Sequence, residues 1–392
     1  MSKKNSLFKN ETVNHSLLWF GAAVSIAEIL TGVLFAPLGM AKGIAAILVG
    51  HLIGFLLLYF TGLIGAREKQ VAMDTVKISF GQKGAHFFSA LNILQLVGWT
   101  AVMIIGGARA TAVIAQNSPI LWCFIIGALI LVWVLVGIKD MAKINVFAVG
   151  ALFVLTIILS TVVFDGGQTL AADGEITFGA AVELSVAMPL SWLPLISDYT
   201  SQAQNGKRTS FAGAFAYTLG SIWMYIIGLG AALFTGVSDI AQIMVQAGLG
   251  VLGLLIVVFS TVTTTFLDVY SAGVCCNNIL PKVDAKKAAC VICVLGALIA
   301  AFTPIEQYEN FLYLIGSVFA PMIAILLADY FLLHRRPGQA NFDWLNFLLW
   351  LVGFVLYRLF MQIDTPIGNT LPVMLILMFL VFICRKIKPA NK

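Results

Sequence analysis

Apolar runs of about 20 residues, the length of α-helix that spans a bilayer, recur along the whole chain and constrain its fold more than any other feature. Soluble domains carry about 25% charged residues, whereas this chain of 392 residues is 10% charged and 60% hydrophobic. Such a composition leaves no room for a soluble domain. We therefore predict an all-α, polytopic membrane protein that forms a single domain over residues 1–392.

The apolar runs predict twelve transmembrane helices, which we number as spans 1 to 12. An even number of spans places both termini on the same side of the membrane. The approximate bounds of the spans are 17–40, 43–65, 87–110, 119–138, 144–164, 178–197, 210–234, 250–273, 287–303, 309–333, 343–362 and 369–386.

Lysine and arginine indicate the orientation of these spans. If both termini are cytoplasmic, all but three of the 23 basic residues fall in cytoplasmic segments, the exceptions being Lys42, Arg109 and Arg358. Basic loops are retained in the cytoplasm. We predict a multi-pass protein of the cytoplasmic membrane with both termini inside. The net charge of +5 reflects this bias and does not imply a nucleic acid partner.

Residues that interrupt helices occur in spans 1 and 6. In span 1, Gly32 and Pro37 follow Glu28, and span 6 contains Pro189 and Pro194. A proline removes a backbone donor and displaces a carbonyl, which frees polar groups that a cavity can satisfy and lipid cannot. Ordinary kinks are the alternative, since membrane helices tolerate proline.

Interrupted helices in corresponding spans are typical of transporters built from inverted repeats, which hold substrate and ion near the midplane. We predict a LeuT-like fold with five helices in each repeat and two extra helices. Repeat one covers about 17–164, repeat two about 178–333, and the extra helices about 343–386. The single domain would then be a membrane transporter domain.

Span 8 contains the stretch TVTTTFLDVYSAG, residues 261–273. Thr261, Thr264, Thr265 and Asp268 follow the spacing of one helix face, so hydroxyls and a carboxylate share a stripe. Such oxygen ligands suit a small alkali cation beside an unwound helix. Threonines also bond to carbonyls of their own helix. That alternative does not explain Asp268, because an ionised carboxylate in lipid is costly.

Span 3 places Gln95 and Trp99 four residues apart, on one helix face at mid-depth. A tryptophan there lies outside the interfacial belts where this residue is usually found. A planar ligand could stack on Trp99 while Gln95 supplies a donor and an acceptor. Trp192, in the interrupted part of span 6, offers a second aromatic face. The alternative is helix packing, with Gln95 bonded to a neighbouring helix.

Acidic residues in the spans restrict the cargo. Glu28 could bind substrate, carry a proton or be a protonated structural carboxyl. Glu28 and Asp268 would repel an anion, whereas an amino group beside a protonated ring nitrogen can form two parallel hydrogen bonds with a carboxylate. The predicted cargo is therefore a flat heterocycle rich in donors. Near helix ends, Glu183, Asp198, Asp329 and Arg335 are predicted to act as solvated caps.

Other functional classes have less support. The sequence contains no nucleophile motif, phosphate-binding glycine loop or metal-ligand spacing, which argues against an enzyme, and a channel would need a continuous polar lining. An amino-acid carrier of the same architecture is the nearest alternative, but such carriers offer helix breaks to an anionic carboxylate, which Glu28 would repel. We expect no cofactor other than a transported ion, and no obligate protein partner.

Several motifs resemble those of nucleobase:cation symporter family 1, the cytosine and hydantoin permeases, over nearly the whole chain. Among the branches of this family, the chain is most similar to the CytX group of proposed hydroxymethylpyrimidine transporters. In chain order the motifs are LTGVLFAPLG, SFGQKG, QLVGW, SDYTSQAQN, TT followed by YSAG, and APMIAILLADYFLLHRR.

The resemblance implies where substrate and cation would bind. The substrate would stack on Trp99, with Gln95 beside it and with Ser191 and Trp192 contributed by the span 6 break. The cation would lie between carbonyls of span 1 and hydroxyls of span 8, for which the residues in best register are Thr263 and Thr264, followed by Thr265.

Two departures from the family pattern bear on specificity. Relatives often have a neutral residue where this chain has Asp268, and cytosine permease looks small and polar where this chain has Glu28. These acids favour an aminopyrimidine over plain cytosine or uracil. The hypothesis is a symporter that imports hydroxymethylpyrimidine with sodium by alternating access. The alternatives are a proton-coupled cytosine or purine permease, with Glu28 or Asp268 carrying the proton, and an amino-acid carrier of the same fold.

Overall fold

The computed structural model describes residues 11–136, 138–165, 174–235, 242, 250–303, 308–336 and 340–387, and this part of the chain is helical without strands. We number its α-helices in chain order. They are α1 (Glu11–Ala23), α2 (Ile26–Val33), α3 (Gly39–Glu68), α4 (Ala72–Ala115), α5 (Pro119–Val136), α6 (Ile138–Phe164), α7 (Phe178–Ser191), α8 (Ile196–Thr200), α9 (Gly206–Gly230), α10 (Gly250–Ile279), α11 (Ala285–Phe302), α12 (Tyr308–Leu327), α13 (Trp344–Phe360) and α14 (Thr370–Ile387).

Helices long enough to span a membrane occur throughout the described residues. Nine helices are long and apolar enough to cross a bilayer, and α1 and α2, bent by 49° at the break between them, add a tenth if they form one span. Two shorter apolar segments are Val149–Phe164, which is part of α6, and Trp344–Phe360, which is α13. The predicted all-α membrane fold is confirmed, whereas the count of twelve spans stays a prediction.

The interruption of span 1 differs in position from the one indicated by the sequence. The helix stops at Ala23 and resumes at Ile26, with Ser25 in an extended conformation (φ −133°, ψ 159°). Gly32 lies inside α2, and Pro37 belongs to a short 3₁₀ turn, Ala36–Leu38, that leads into α3. The break therefore precedes Glu28 and contains neither glycine nor proline, so the residues chosen from the sequence did not mark it.

Gly32 serves a different purpose, which is close packing of α2 against α9. A Cβ atom on Gly32 would lie 2.2 Å from the backbone oxygen of Tyr225, and one on Gly228 would lie 2.0 Å from that of Ile29. No side chain fits at either position, so the two helix backbones are in direct contact.

The interruption of span 6 lies where the sequence predicts it. Helix α7 ends at Ser191, and α8 begins at Ile196. Pro189 is in the last turn of α7, and Pro194 is between the two helices. The backbone N–H of Pro194 is missing, so it cannot continue the α7 hydrogen-bond ladder.

Inter-helix contacts are concentrated in two groups of helices. One group consists of α1, α2, α3, α7 and α9, and the other of α4, α5, α10 and α11. Each group combines helices from the first and the second half of the chain, as an inverted repeat would require, although the repeat bounds stay a prediction. Helices α12, α13 and α14 pack on one another, and α12 also contacts α7.

Glu183 and Asp329 are fully buried, so their predicted solvated positions are wrong. The Glu183 carboxylate accepts hydrogen bonds from the Tyr357 hydroxyl (2.5 Å), the Asn369 N–H (2.6 Å), the Thr370 N–H (2.7 Å) and the Thr370 hydroxyl (2.6 Å). It therefore joins α7 to α13 and to the N-terminus of α14, where a helix dipole favours negative charge.

Asp329 lies in a second buried network, which follows α12. Its carboxylate accepts hydrogen bonds from the Arg335 guanidinium (2.9 Å) and the Asn346 amide (2.7 Å), and Arg335 also pairs with Asp343 (2.9 Å). Asp198 is half-buried, and it accepts a hydrogen bond from the Ala72 N–H (2.8 Å). Glu183 and Asp198 interact with residues more than 100 positions away in the sequence, which explains why a position near a helix end did not reveal their surroundings.

Candidate functional site

A small cavity lies where the two interrupted spans meet α4 and α10. It is lined by small residues and Glu28 from the first interrupted span, by a tryptophan and a methionine of α4, by residues at the end of α7 and just after it, and by two polar residues of α10. The lining residues are Ala22, Ser25, Ala27, Glu28, Trp99, Met103, Met188, Ser191, Trp192, Thr264 and Asp268.

Two tryptophans give the cavity aromatic walls. Trp99 packs edge-on against Phe311 (ring centroids 5.5 Å apart) and Tyr308 (6.0 Å), and its indole N–H is buried without an acceptor among the described residues. Trp192 packs edge-on against Trp19 (5.5 Å). Because neighbouring rings fix both indoles, the walls are ordered before any ligand binds.

The two carboxylates that line the cavity differ in their hydrogen bonding. Glu28 accepts from the Tyr217 hydroxyl and the Ser221 hydroxyl, both at 2.7 Å. Asp268 is 4% exposed, and no described residue donates a hydrogen bond to it. Burying a charge without a partner is costly. The Asp268 carboxyl group therefore has free hydrogen-bonding capacity for a ligand, whereas both oxygens of Glu28 already accept hydrogen bonds from α9.

Gln95 lies outside the cavity lining. Its side-chain amide donates to the backbone oxygen of Ser191 (2.8 Å), an oxygen that the end of α7 leaves without a helical partner. Its own amide oxygen is buried without a donor among the described residues. Gln95 therefore positions the span 6 break, and direct contact between Gln95 and a substrate stays a prediction.

The threonines of α10 fall into two kinds. The Thr263 hydroxyl donates to the backbone oxygen of Ser260 (3.0 Å), as threonines in helices often do, and Thr263 does not line the cavity. The hydroxyls of Thr264 and Thr265 are buried without partners among the described residues. Of the two threonines predicted to hold the cation, only Thr264 lines the cavity.

Several residues near the cavity were not singled out from the sequence. Tyr217 and Ser221 in α9 hold Glu28, and His51 in α3 contacts Ser221 at 2.5 Å. Tyr217 and Ser221 are four residues apart and therefore lie on one face of α9. This shared face is the sequence feature that could have suggested a joint role for them. Nothing in the sequence pairs them with Glu28, which is almost 200 residues away.

The fold is that of a multi-pass membrane transporter, and the cavity lies between its two interrupted spans. No group of three or more potential metal ligands occurs among the described residues. The chain belongs to the family of permeases for cytosine/purines, uracil, thiamine and allantoin, since the family profile matches residues 6–379. It is a nucleobase- or hydantoin-type permease of nucleobase:cation symporter family 1 and a symporter, which confirms the family predicted from the motifs.

Two relatives illustrate the range of this family. The cytosine permease of Escherichia coli K12 is 26% identical over 300 residues, which cover 74% of this chain and 70% of that protein. The hydantoin permease of Microbacterium maritypicum is 25% identical over 354 residues, covering 81% and 72%. Neither comparison distinguishes the CytX branch, which stays a prediction.

Solved structures share the architecture. Mhp1, a nucleobase-cation-symport-1 family transporter in a closed conformation with bromovinylhydantoin bound, superposes with a TM-score of 0.82 at 20% identity, covering 97% of this chain and 94% of that chain. Inward-facing Mhp1 gives a TM-score of 0.80 at 18% identity, covering 96% and 90%. At these identities the likeness shows the fold, and it confirms the predicted LeuT-like class.

Proposed function

We propose that this permease imports an aminopyrimidine, with hydroxymethylpyrimidine as the preferred cargo, in symport with sodium. The observation that carries the proposal is the buried Asp268 carboxylate, which lines the cavity beside Trp99 and Trp192 and receives no hydrogen bond from a described residue. A buried charge without a protein partner is commonly completed by a ligand.

The chemistry of Asp268 restricts the class of substrate. A carboxylate binds an amino group and an adjacent protonated ring nitrogen through two parallel hydrogen bonds, which are about twice as strong as neutral ones. Indole faces bind flat rings. An aminopyrimidine meets both requirements, whereas uracil offers no amino group and an anion would be repelled. Relatives named for cytosine, hydantoin and vitamin B6 also carry flat heterocycles.

Sodium is favoured as the coupling ion by the α10 hydroxyls. The hydroxyls of Thr264 and Thr265 lack partners among the described residues, and the extended backbone at Ser25 interrupts the hydrogen-bond ladder of span 1. Hydroxyl and carbonyl oxygens of this kind coordinate sodium in transporters with discontinuous helices. We assign Thr264 as the principal side-chain ligand, with Thr263 and Thr265 beside it.

Location and mechanism follow from the same proposal. We place the protein in the cytoplasmic membrane with both termini inside, because basic residues are concentrated in the segments that this orientation makes cytoplasmic. Transport would occur by alternating access around the interrupted spans. The cation drives uptake if it binds the outward-open state more tightly, since it then shifts the population toward the state that receives cargo.

Uptake by purified protein in sealed vesicles tests the proposal. Separate inward gradients of sodium and of protons would be imposed, with radiolabelled hydroxymethylpyrimidine as substrate and unlabelled hydroxymethylpyrimidine, cytosine, uracil and thiamin as competitors. We expect accumulation that requires sodium and is inhibited most strongly by hydroxymethylpyrimidine. Equal accumulation without a sodium gradient would overturn the coupling ion, and stronger inhibition by uracil would overturn the substrate class.

A proton-coupled cytosine or purine permease is the second candidate. It is favoured by one observation: Glu28 lines the cavity and is hydrogen-bonded through Ser221 to a histidine. Accumulation driven by a proton gradient alone, with cytosine as the best competitor, would support this candidate over the first.

A further inference from the structure

A continuous hydrogen-bonded chain leads from the cavity wall into the α3 and α7 interface. The Ser221 hydroxyl lies 2.7 Å from Glu28 Oε2 and 2.5 Å from His51 Nε2. On the far side of the ring, His51 Nδ1 lies 2.9 Å from the Ile47 carbonyl oxygen and 2.7 Å from the Ser185 hydroxyl. Glu28, Ser221 and His51 are each at most 1% exposed, so no solvent competes for these bonds.

The Ile47 end of the chain determines one proton position. A carbonyl oxygen only accepts, so the ring nitrogen that faces the Ile47 carbonyl oxygen at 2.9 Å must donate to it. His51 Nδ1 therefore carries a hydrogen, and the Ser185 hydroxyl, which also contacts Nδ1, can donate its own proton to the same carbonyl oxygen (2.9 Å). In a neutral imidazole with Nδ1 protonated, Nε2 is an acceptor.

The Ser221 hydroxyl then determines how many protons the chain holds. It has one proton to donate, but an ionised Glu28 and a neutral His51 would both require it. Both contacts are satisfied only when one more proton is present. That proton can reside on Glu28, which donates to Ser221 while Ser221 donates to His51. It can instead reside on His51 Nε2, which donates to Ser221 while Ser221 donates to Glu28.

We infer that Glu28, Ser221 and His51, here called the proton trio, form a binding site for one proton at the wall of the transport cavity. The two arrangements interconvert when the Glu28 proton moves to the Ser221 oxygen as the Ser221 proton moves to His51 Nε2, so no proton is gained or lost. The trio as a whole is neutral in both.

Other ionisable groups near the trio come from α9, α10 and α12, and they are compatible with the shared proton. The Tyr217 hydroxyl donates to Glu28 Oε1 (2.7 Å) in both arrangements. The ionisable residues that face the trio among the described ones are Tyr217 and Tyr225 from α9, Tyr308 from α12 and Asp268 from α10.

The test is the melting temperature of the purified full-length protein between neutral and alkaline pH. At these pH values an unfolded chain releases the proton that the folded trio holds, so stability falls as pH rises. The trio contributes up to about a tenfold change in the folding equilibrium per pH unit. Other groups titrate as well, and the variants described next isolate the share of the trio.

Glu28→Gln is the decisive variant. Its amide can donate permanently to Ser221 and its carbonyl can accept from Tyr217, which reproduces one satisfied arrangement without a dissociable proton. We expect Glu28→Gln to fold and to lose the share of the pH dependence that belongs to the trio, whereas Asp268→Asn should keep it. His51→Leu removes the second acceptor, so this variant should lose the same share.

Each contrary outcome overturns the inference. If Glu28→Gln melts with the pH dependence of the parent, the proton is held elsewhere. A Glu28→Gln protein that fails to fold would contradict the arrangement, since the amide satisfies every contact in it. A His51→Leu protein with the parental pH dependence would show that the proton belongs to Glu28 alone. Because the readout is stability, it is independent of the cargo and the coupling ion proposed above.

Discussion

Glu183 and Asp268 are carboxylates buried in the same helical protein, and they have opposite surroundings. Glu183 receives four hydrogen bonds from α13, α14 and the turn before α14, whereas Asp268 receives none from the described residues and lines a cavity. Burial alone therefore does not distinguish an anchoring acid from a binding acid. The number of donors that the chain itself supplies does.

The energetic consequences also differ. Hydrogen bonds to a charged group each contribute about 1.5–3 kcal/mol, so the surroundings of Glu183 offset the cost of burying its charge. The cost of burying Asp268 is not offset by the described residues. A protein retains such a group where a ligand completes its bonding, and the four predictions below test that difference.

The largest effect is expected for Glu183→Gln. The amide group of the new glutamine is itself a donor, so it would face N–H and O–H donors where a carboxylate oxygen accepts from them. We therefore expect the free energy of unfolding to fall by about 4 kcal/mol, as for other disrupted buried charges. Thermal melting of the detergent-solubilised protein would measure the loss. Asp364→Asn, an exposed acid in the same connection to α14, is the matched control. Equal melting temperatures for the two variants would contradict the anchoring role.

Asp268→Asn should give the reverse outcome. We expect its affinity for hydroxymethylpyrimidine to fall by about 10- to 100-fold, because a charge-assisted pair is replaced by a neutral contact. Its melting temperature should stay the same or rise, since an unpaired buried charge is removed. Direct binding measurements with uracil provide the control, because that ring lacks the amino group. Unchanged affinity for hydroxymethylpyrimidine would exclude Asp268 from the site.

A smaller effect is expected for Trp99→Leu. Loss of the aromatic face should weaken binding of each flat heterocycle by about three- to tenfold, without preference between aminopyrimidines and uracil. The same binding assay would measure this change. A loss confined to aminopyrimidines would instead place Trp99 in the recognition of the amino group.

The smallest effect is expected for Thr264→Val. Its hydroxyl has no partner among the described residues, so stability should not change, while the half-saturating sodium concentration for uptake should rise about fivefold through loss of one oxygen ligand. Thr263→Val is the comparison variant, for which we expect a smaller rise because the Thr263 hydroxyl is already bonded to the Ser260 carbonyl oxygen. A larger sodium effect in Thr263→Val would reverse the assignment of the two threonines.

The sequence predicted features that depend on local composition. Apolar run length gave the membrane class, and Pro189 and Pro194 marked the break in span 6. The break in span 1 was placed incorrectly, because the backbone at Ser25 turns without a glycine or proline to mark it.

Partnerships across the chain could not be predicted. The sequence suggested that Glu28, Trp99 and Asp268 serve one cavity, and all three line the one found here. It did not indicate that Tyr217 and Ser221 saturate Glu28, or that Gln95 bonds to the Ser191 backbone, because these contacts join residues about 100 to 190 positions apart. Hydrophobic periodicity reports which face of a helix is buried and not which helix covers it.

Because backbone atoms are in contact at Gly32 and Gly228, α2 and α9 pack without a gap at these positions. Neither helix can slide or rotate past the other without a steric clash, so we expect them to travel as one rigid unit. Glu28 would then keep its hydrogen bonds to Tyr217 and Ser221 of α9 throughout the transport cycle. The cavity would open by separation of α2 and α9, moving together, from α10. Substitution of either glycine by alanine should therefore push the two helices apart and reduce the transport rate, even though neither residue lines the cavity.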